Sequence, residues 1–268
     1  MKKRILLFSI FLVIVLVAAF AFNDMTKPTA DQQELASTEV SVSEAQPSEK
    51  VPEKKDPVIQ FDLGPRFKGI KKSELNKATS FADFIGQKHA NRIIKYKSLS
   101  VIELDDDKQT DRKITTNSGE LTQAQREHLQ AAGLSTNVLI WAEYTEKWEE
   151  SGLVEDSYWT PHLTVVPEKQ AVYVVGEKAF IDYLEENIPE FRNFLRKEQL
   201  QPGRIYFTVG KEGTITQVEL QATSGIPEMD EKLVKLVHEA PGKWTPAENV
   251  KGEKVAQVLV VFFGSLGC

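Results

Sequence analysis

Hydrophobic and polar positions divide the chain into four segments of different character. At the N-terminus three basic residues precede an uncharged apolar run from Ile5 to Phe22. A helix of about 18 residues rises 1.5 Å per residue and reaches about 27 Å, enough to cross the hydrocarbon core of a bilayer. Because the basic residues stand before the run, the N-terminus is expected to stay cytoplasmic and the rest of the chain to lie across the membrane.

The apolar run has two interpretations that both export the rest of the chain. The sequence Ala19-Phe20-Ala21 has the small-x-small pattern of a cleavage site, which is typical of a signal peptide. The length of the run favours an uncleaved anchor instead. An uncleaved anchor predicts a single-pass membrane protein with the bulk of its chain on the far side of the membrane.

Residues 23–57 have the composition of a flexible linker. They are rich in Ser, Thr, Glu, Gln, Lys and Pro, and no aromatic residue follows Phe22 before Phe61. Such a segment cannot bury enough apolar surface to offset the entropy lost on ordering. We therefore expect a tether between the membrane segment and the folded part of the chain.

Residues 58–174 have enough apolar and aromatic residues for a small folded unit. Thr122 and Gln125 form a capping-box pattern before a predicted helix at residues 124–132, which Gly133 ends. Strands rich in Val, Ile and aromatic residues are predicted at residues 98–104, 137–144, 163–166 and 171–175. This segment is expected to be an α+β domain.

Residues 175–268 show the order helix, strand, strand, helix, strand. These elements are predicted at residues 177–197, 203–209, 214–220, 229–237 and 254–263. Pro189 lies within the first helix, which must bend or end near Asn187. The apolar parity of the second strand changes between Ile215 and Val218, which indicates a bulge. Two helices on one face of a three-stranded antiparallel sheet would make this an α+β domain.

The last predicted strand is apolar on both faces for much of its length. We expect it at an edge of the sheet, where its backbone N–H and C=O groups would lack partners. A central, fully covered position also fits its composition, as does pairing with a second copy of the chain.

Charge and composition exclude several classes of function. The 268 residues are 41% hydrophobic and carry a formal net charge of −6, whereas a nucleic-acid-binding domain would be basic. The single cysteine, Cys268, excludes a disulfide framework, a Cys-rich zinc site and a Cys-x-x-Cys redox motif.

Few residues suggest catalysis or metal binding. Asp105-Asp106-Asp107 lacks the Gly and the terminal Glu of a calcium loop, so a solvated hairpin turn is the better interpretation. The four histidines, which show no metal-ligand spacing, are His89, His128, His162 and His238. Without a nucleophile elbow, P-loop or dinucleotide motif, we expect neither enzymatic activity nor a cofactor.

A set of residues stands in a distinctive order along the C-terminal segment. It consists of Val175-Gly176-Glu177, Tyr183-Leu184, Asn187-Ile188-Pro189, Gly203, Phe207-Thr208-Val209, Gly213, Ser224-Gly225, Met229-Asp230, Ala240-Pro241, Trp244-Thr245-Pro246, Gly252 and the stretch from Val258 to Phe263. In this order they resemble the C-terminal domain of the TonB family of energy transducers. The resemblance covers residues 175–263, about a third of the chain.

The resemblance implies a partner and a mode of binding. The resemblance implies a single-pass inner-membrane protein with the bulk of its chain in the periplasm. In the family, this domain adds a segment of an outer-membrane TonB-dependent transporter as a strand and conveys work from ExbB/ExbD-type motor subunits. Backbone pairing supplies the affinity of such binding, and alternate side chains supply its selectivity. Carried over to this sequence, the partner-facing residues are Lys254, Val255, Ala256, Gln257, Val258 and Leu259.

Two functions follow from these observations. The first is a TonB-like protein that binds an outer-membrane transporter and helps transmit inner-membrane energy for uptake. The second is a membrane-tethered envelope scaffold with the same domain but no energy coupling. The run from Ile5 to Phe22 lacks the histidine that usually couples the family to its motor, which favours the second. Ile188-Pro189 also replaces the Tyr-Pro of the family.

Overall fold

A computed structural model describes residues 59–191 and 200–264, which contain two principal β-sheets, each with its own hydrophobic core. The predicted membrane segment and linker, residues 1–22 and 23–57, lie outside the described residues. Within the described ranges, none of the helices is both long and apolar enough to span a bilayer. The mixed α+β class predicted from the sequence is confirmed.

The first part of the chain builds a mostly antiparallel sheet. In chain order, the elements of this part are β1 (Gln60–Gly64), β2 (Lys68–Lys71), α1 (Lys72–Lys77), α2 (Ala82–Ile85), α3 (Gln87–Ala90), β3 (Ile93–Asp105), β4 (Lys108–Thr116), α4 (Gln123–Ala131), β5 (Asn137–Lys147), β6 (Val154–Trp159) and β7 (His162–Val166). All of these strands except β1 belong to this sheet. The strand order is β2-β7-β5-β3-β4, and β6 also pairs with β5. Only the β2–β7 pair in this sheet is parallel.

The predicted helix in this part begins as its capping box indicates. The Thr122 hydroxyl accepts a hydrogen bond from the Gln125 N–H at 3.2 Å, and the Gln125 side chain accepts one from the Thr122 N–H at 2.9 Å. Leu129 is fully buried against the sheet, together with Leu99 and Ile140. The reciprocal bonds satisfy N–H groups that lack partners within the helix.

The second part builds the other sheet. Its elements are β8 (Val172–Tyr173), α5 (Glu177–Glu186), a 3-10 turn (Pro189–Phe191), β9 (Gly203–Val209), β10 (Ile215–Ala222), α6 (Pro227–His238), β11 (Trp244–Thr245), β12 (Ala247–Glu248), β13 (Lys254–Val255) and β14 (Gln257–Gly264). The sheet has the order β1-β14-β9-β10 and is antiparallel throughout.

The prediction of a three-stranded sheet is therefore wrong in the number of strands. A fourth strand, β1, comes from near the start of the described chain and pairs with β14. The edge position expected for the last strand is wrong as well, because β14 lies between β1 and β9. The central alternative, typical of a strand apolar on both faces, describes its position.

Several local predictions in this part are confirmed. The first helix ends at Glu186, and Pro189 begins the 3-10 turn. The register between β10 and β9 shifts between Thr216 and Glu219, where Gln217 has a φ of 51°. A residue in the left-handed region is typical of a strand bulge, so the change in apolar parity has a structural cause.

The core of the second sheet is built from aromatic and aliphatic side chains of α5, α6, β9 and β14. Phe180, Phe207 and Met229 are fully buried in it. Trp244, which closes one end, has ring centroids 5.3–5.5 Å from those of Tyr173, Phe180 and Phe207. Burying a large apolar side chain contributes roughly 1.5–3 kcal/mol, so this cluster fixes both helices on the sheet.

Candidate partner-binding strand

The strand expected to bind a partner is β14, and one of its sides is fully paired within the chain. Seven of its residues, from Gln257 to Phe263, pair antiparallel with β9, from Val209 to Gly203. Alternate side chains of β14, including Leu259, Val261 and Phe263, point into the core and are at most 3% exposed. A continuous ladder on this side makes β14 a permanent part of the sheet.

The other side of β14 is occupied by β1 over its C-terminal half. Residues Gln60 to Gly64 pair with Gly264 to Val260 in antiparallel register. Ile59, which precedes the strand, is only 3% exposed, and the Phe61 ring stacks on that of Phe263 at a centroid distance of 6.4 Å. The alternating apolar residues of β1 thus extend the core face of the sheet by one strand.

The residues proposed as partner-facing lie where β1 does not reach. Lys254 and Val255 pair with Glu248 and Ala247, and Ala256 is exposed between two strands. These three residues do not form part of the four-stranded sheet. They flank the N-terminal end of β14 and offer no continuous unpaired ladder.

The N-terminal end of β14 is held by contacts with side chains and loops. The Gln257 side chain accepts a hydrogen bond from the Ala171 N–H at 2.7 Å and donates one to the Gln170 side chain at 3.0 Å. The Val258 N–H donates to the Ser135 hydroxyl at 3.3 Å. Leu259 is buried. The stretch is therefore covered by the chain itself, although no strand pairs with it on the β1 side.

A cleft opens beside this stretch, where β1 ends. It has a volume of about 230 Å³, and its walls include Leu63, Gly64, Tyr173, Trp244 and Leu259. Gly64 is the last residue that pairs with β14, and Pro65, which has no N–H to donate, follows it. A strand that continued past the end of β1 would run into this cleft.

A cluster of charges lies immediately after β1, on the outer side of the sheet. Arg204 on β9 contacts Asp106 and Asp107 at 3.0 Å each, and Arg66 also forms ion pairs with both carboxylates. The Tyr206 hydroxyl donates to Asp106 at 2.6 Å. The turn between β3 and β4 is thereby fixed to β9 and to the segment after β1.

The pKa values of this cluster follow from its geometry. Burial alone would raise the pKa of Asp106, but the Tyr206 hydrogen bond and the guanidinium groups of Arg204 and Arg66 hold it below its usual range. Burial and the bond to Asp106 raise the pKa of Tyr206. The carboxylate stays ionised and the phenol stays neutral at neutral pH, which keeps the contacts intact.

The aspartate run is thus a hairpin turn, as the sequence indicates, but it is not simply solvated. Asp106 and Asp107 keep 33% and 45% of their side-chain surface exposed while they contact arginines. Among the described residues, no group of three or more His, Cys, Asp or Glu side chains could hold a metal ion. The partners of these carboxylates are positive side chains, which spacing along the sequence cannot reveal.

One histidine belongs to a second, buried cluster. His89 lies 2.8 Å from the Tyr144 hydroxyl and 3.8 Å from the carboxylate of Glu146, which in turn contacts Arg92 at 3.2 Å. Glu146 is 3% exposed. Burial, reinforced by Arg92, lowers the pKa of His89 despite the nearby carboxylate. The arrangement anchors α3 to β5 and lines none of the described cavities.

Among the described strands of the two principal sheets, four others pair with a single neighbour and so present an edge, namely β2, β4, β6 and β10. β10 pairs only with β9 and carries the bulge at Gln217, a feature that discourages further pairing. β6 pairs only with β5, and its Tyr158 and Trp159 are 68% and 49% exposed. None of these strands continues from the residues proposed as partner-facing.

Sequence reasoning missed the strands β1, β2, β4 and β6, and of these β1 is the one that pairs with β14. The signal of β1 in the sequence is the alternation of Ile59, Phe61 and Leu63 just before Gly64 and Pro65.

Comparison of the chain with protein-family models, with curated proteins and with solved structures finds no match.

Proposed function

We propose that this chain is an envelope protein that binds an extended segment of an outer-membrane transporter by strand addition to the sheet β1-β14-β9-β10. The residues that resemble the TonB C-terminal domain support the identity of the partner. The apolar run from Ile5 to Phe22 supports a location at the inner membrane with the folded part in the periplasm.

The observation that carries this proposal is the arrangement of the second sheet. Its principal elements follow the order α5, β9, β10, α6, β14 over one core, the order that the pattern of apolar residues predicts. The long strand β14 is paired on one side by β9 and on the other only by the five residues of β1. β1 is the shortest strand of this sheet, which makes its position beside β14 the most suitable place for a partner segment.

A second candidate function is a tethered scaffold without energy coupling. The absence of a histidine between Ile5 and Phe22 favours it, because a proton-driven motor requires an ionisable group in the membrane. Both functions share the binding step and differ in whether motor subunits of the ExbB/ExbD type associate with the membrane segment.

The test is purification of the full chain, with an affinity tag, from detergent-solubilised envelope membranes. Recovery of a TonB-dependent transporter supports the binding function, and additional recovery of motor subunits supports energy transduction. The matched control carries Leu259→Asp, which places a charge in the core beside the cleft. Equal recovery of the same proteins by both chains would show that this sheet is not the binding surface.

The proposal also requires that the apolar run be retained. The mass of the mature protein distinguishes a chain that begins at Met1 from one cleaved after Ala21. A cleaved chain could bind a transporter but could not transmit force from the inner membrane, which would leave only the scaffold function.

A further inference from the structure

We infer that β1 is a resident, displaceable occupant of the partner-binding edge of β14, and that the partner segment replaces it. This inference rests on the proposed function and names the chemistry of the segment that binds. The partner is an extended peptide with apolar residues at alternate positions, as in β1, and it is longer than β1.

The ladder between β1 and β14 is shorter than the ladder between β9 and β14. β1 pairs over five residues, and β9 pairs with β14 over seven. Gln60 and Asp62 are exposed, and Phe61 and Leu63 are only partly buried. Ile59 is the one residue of this segment that is buried in the core. Segments with few buried apolar contacts open locally at a lower free energy than the rest of the fold.

A longer strand has room to pair where β1 cannot. The chain leaves β14 at Gly64 and Pro65, and the cleft begins there beside Leu259. On this stretch the Val258 N–H donates to the Ser135 hydroxyl at a long 3.3 Å. A peptide that lacks the Gly64-Pro65 sequence would continue along β14, fill the cleft and offer a backbone acceptor to the Val258 N–H group. Additional pairing is how an incoming strand displaces β1.

The two ends of β1 allow it to leave without unfolding the rest. On its C-terminal side Arg66 is fixed by Asp106, at 3.4 Å, and by Asp107. Gly64 is the last residue of β1, and a Cβ added there would meet no atom within 4 Å, so this end of the strand has room to move. On its N-terminal side β1 continues directly into residues 1–58, so a pull on the tether would act on β1 before any other described strand.

The inference is tested with a cross-link that holds β1 in place. Asp62 and Phe262 are directly opposite each other, and facing residues of antiparallel strands lie within the range that a disulfide spans. The full chain carries Asp62→Cys and Phe262→Cys together with Cys268→Ser, which removes its single native cysteine. The probe is a fluorescent peptide with the sequence of residues 58–63, Val-Ile-Gln-Phe-Asp-Leu, extended by Thr-Val-Thr.

We expect the reduced protein to bind the peptide and the oxidised protein to bind it at least about tenfold more weakly. A matched disulfide between Thr208→Cys and Thr216→Cys joins facing residues of β9 and β10 on the opposite flank and should leave binding unchanged. A peptide in which Phe and Leu are both replaced by Ser should bind neither form, because it lacks the alternate apolar residues.

Equal binding by the oxidised and reduced forms would overturn the inference, because the peptide would then use another edge such as β6 or β10. Absence of binding to the reduced form would overturn it as well, because β1 would then not be displaceable. Either result is distinct from failure of the proposed function. If the peptide binds only the reduced form but no transporter is recovered from membranes, β1 remains a displaceable strand and the partner is a different protein.

Discussion

Asp106 combines an unusual backbone conformation with an unusual charge environment. Its φ of 51° lies in the left-handed region, which Asp and Asn adopt more readily than most other residues. This conformation turns the chain from β3 into β4 and presents the carboxylate to Arg204, Arg66 and Tyr206. The backbone conformation and the contacts of the carboxylate therefore both favour Asp at position 106.

The charge of Asp106 can be tested separately from its backbone. Asp106→Asn keeps a residue that tolerates the left-handed conformation but removes the attraction to Arg204 and Arg66. We expect the free energy of unfolding to decrease by roughly 1–2 kcal/mol, measured by urea denaturation. Asp105→Asn, at an exposed position, is the control and should change it little. Equal stability of both variants would show that the ion pairs contribute nothing measurable.

His89 makes stability depend on pH in a defined window. Its pKa is lowered in the folded protein, so below the ordinary value of about 6.5 the unfolded chain binds more protons than the folded one. The free energy of unfolding should therefore decrease as the pH falls from about 7 to about 5.5. His89→Gln should flatten this dependence, whereas His162→Gln, at an exposed position, should preserve it. If the pH dependence of the free energy of unfolding is unchanged in His89→Gln, groups other than His89 cause it.

At the scale of elements, the close approach of β9 and β14 depends on a glycine. A Cβ added at Gly203 would overlap the ring of Phe263, which is fully buried. We expect Gly203→Ala to destabilise the protein by about 1–3 kcal/mol, because the ring cannot move in a packed core. Gly210→Ala is the control, since its nearest neighbour would lie at an ordinary 3.6 Å. Thermal unfolding followed by circular dichroism compares the two.

How much of this fold the sequence reveals depends on how local each signal is. The capping box of α4 and the bulge of β10 involve residues a few positions apart, and both are found where the pattern predicts them. The pairing of β1 with β14 joins residues about two hundred positions apart, and no local pattern specifies it. The apolar residues on both faces of β14 do indicate a central strand, and they are the local feature of the sequence from which its central position can be predicted.

The candidate site likewise combines features that the local sequence reveals with contacts that it does not. The apolar stretch near residue 258 can be identified from the sequence, but its contacts with Ser135, Gln170 and Ala171 come from a distant part of the chain. The arginine partners of the aspartate run also come from elsewhere in the chain, since Arg66 lies 41 and Arg204 97 positions from Asp107. Sequence spacing therefore predicts which segments form strands, whereas tertiary contacts determine which edges remain free.

At the scale of the whole molecule, β1 and the charge cluster join the two sheets into one structure. The described residues, 59–191 and 200–264, belong to one compact unit. β1 belongs to the second sheet although it precedes the first in sequence, and Asp106 links the β3–β4 turn to Arg204 on β9. A domain boundary near residue 174, as drawn from composition, would separate β14 from the strand that covers it.

This topology predicts how a C-terminal fragment behaves. Residues 175–268 contain β14 without β1, so the backbone groups that pair with β1 in the full chain would lose their partners. We expect the fragment to self-associate through this edge, whereas residues 58–268 stay monomeric under the same conditions. Light scattering across a concentration series measures the difference.

A peptide of residues 58–65 should reverse the association, because it restores the missing strand and competes with a second copy of the fragment. Binding to the folded state also raises the unfolding temperature as the peptide concentration rises, by mass action. A fragment that is folded, monomeric and indifferent to the peptide would show that β14 needs no cover, and that the position of β1 beside it does not reflect a strand-binding edge.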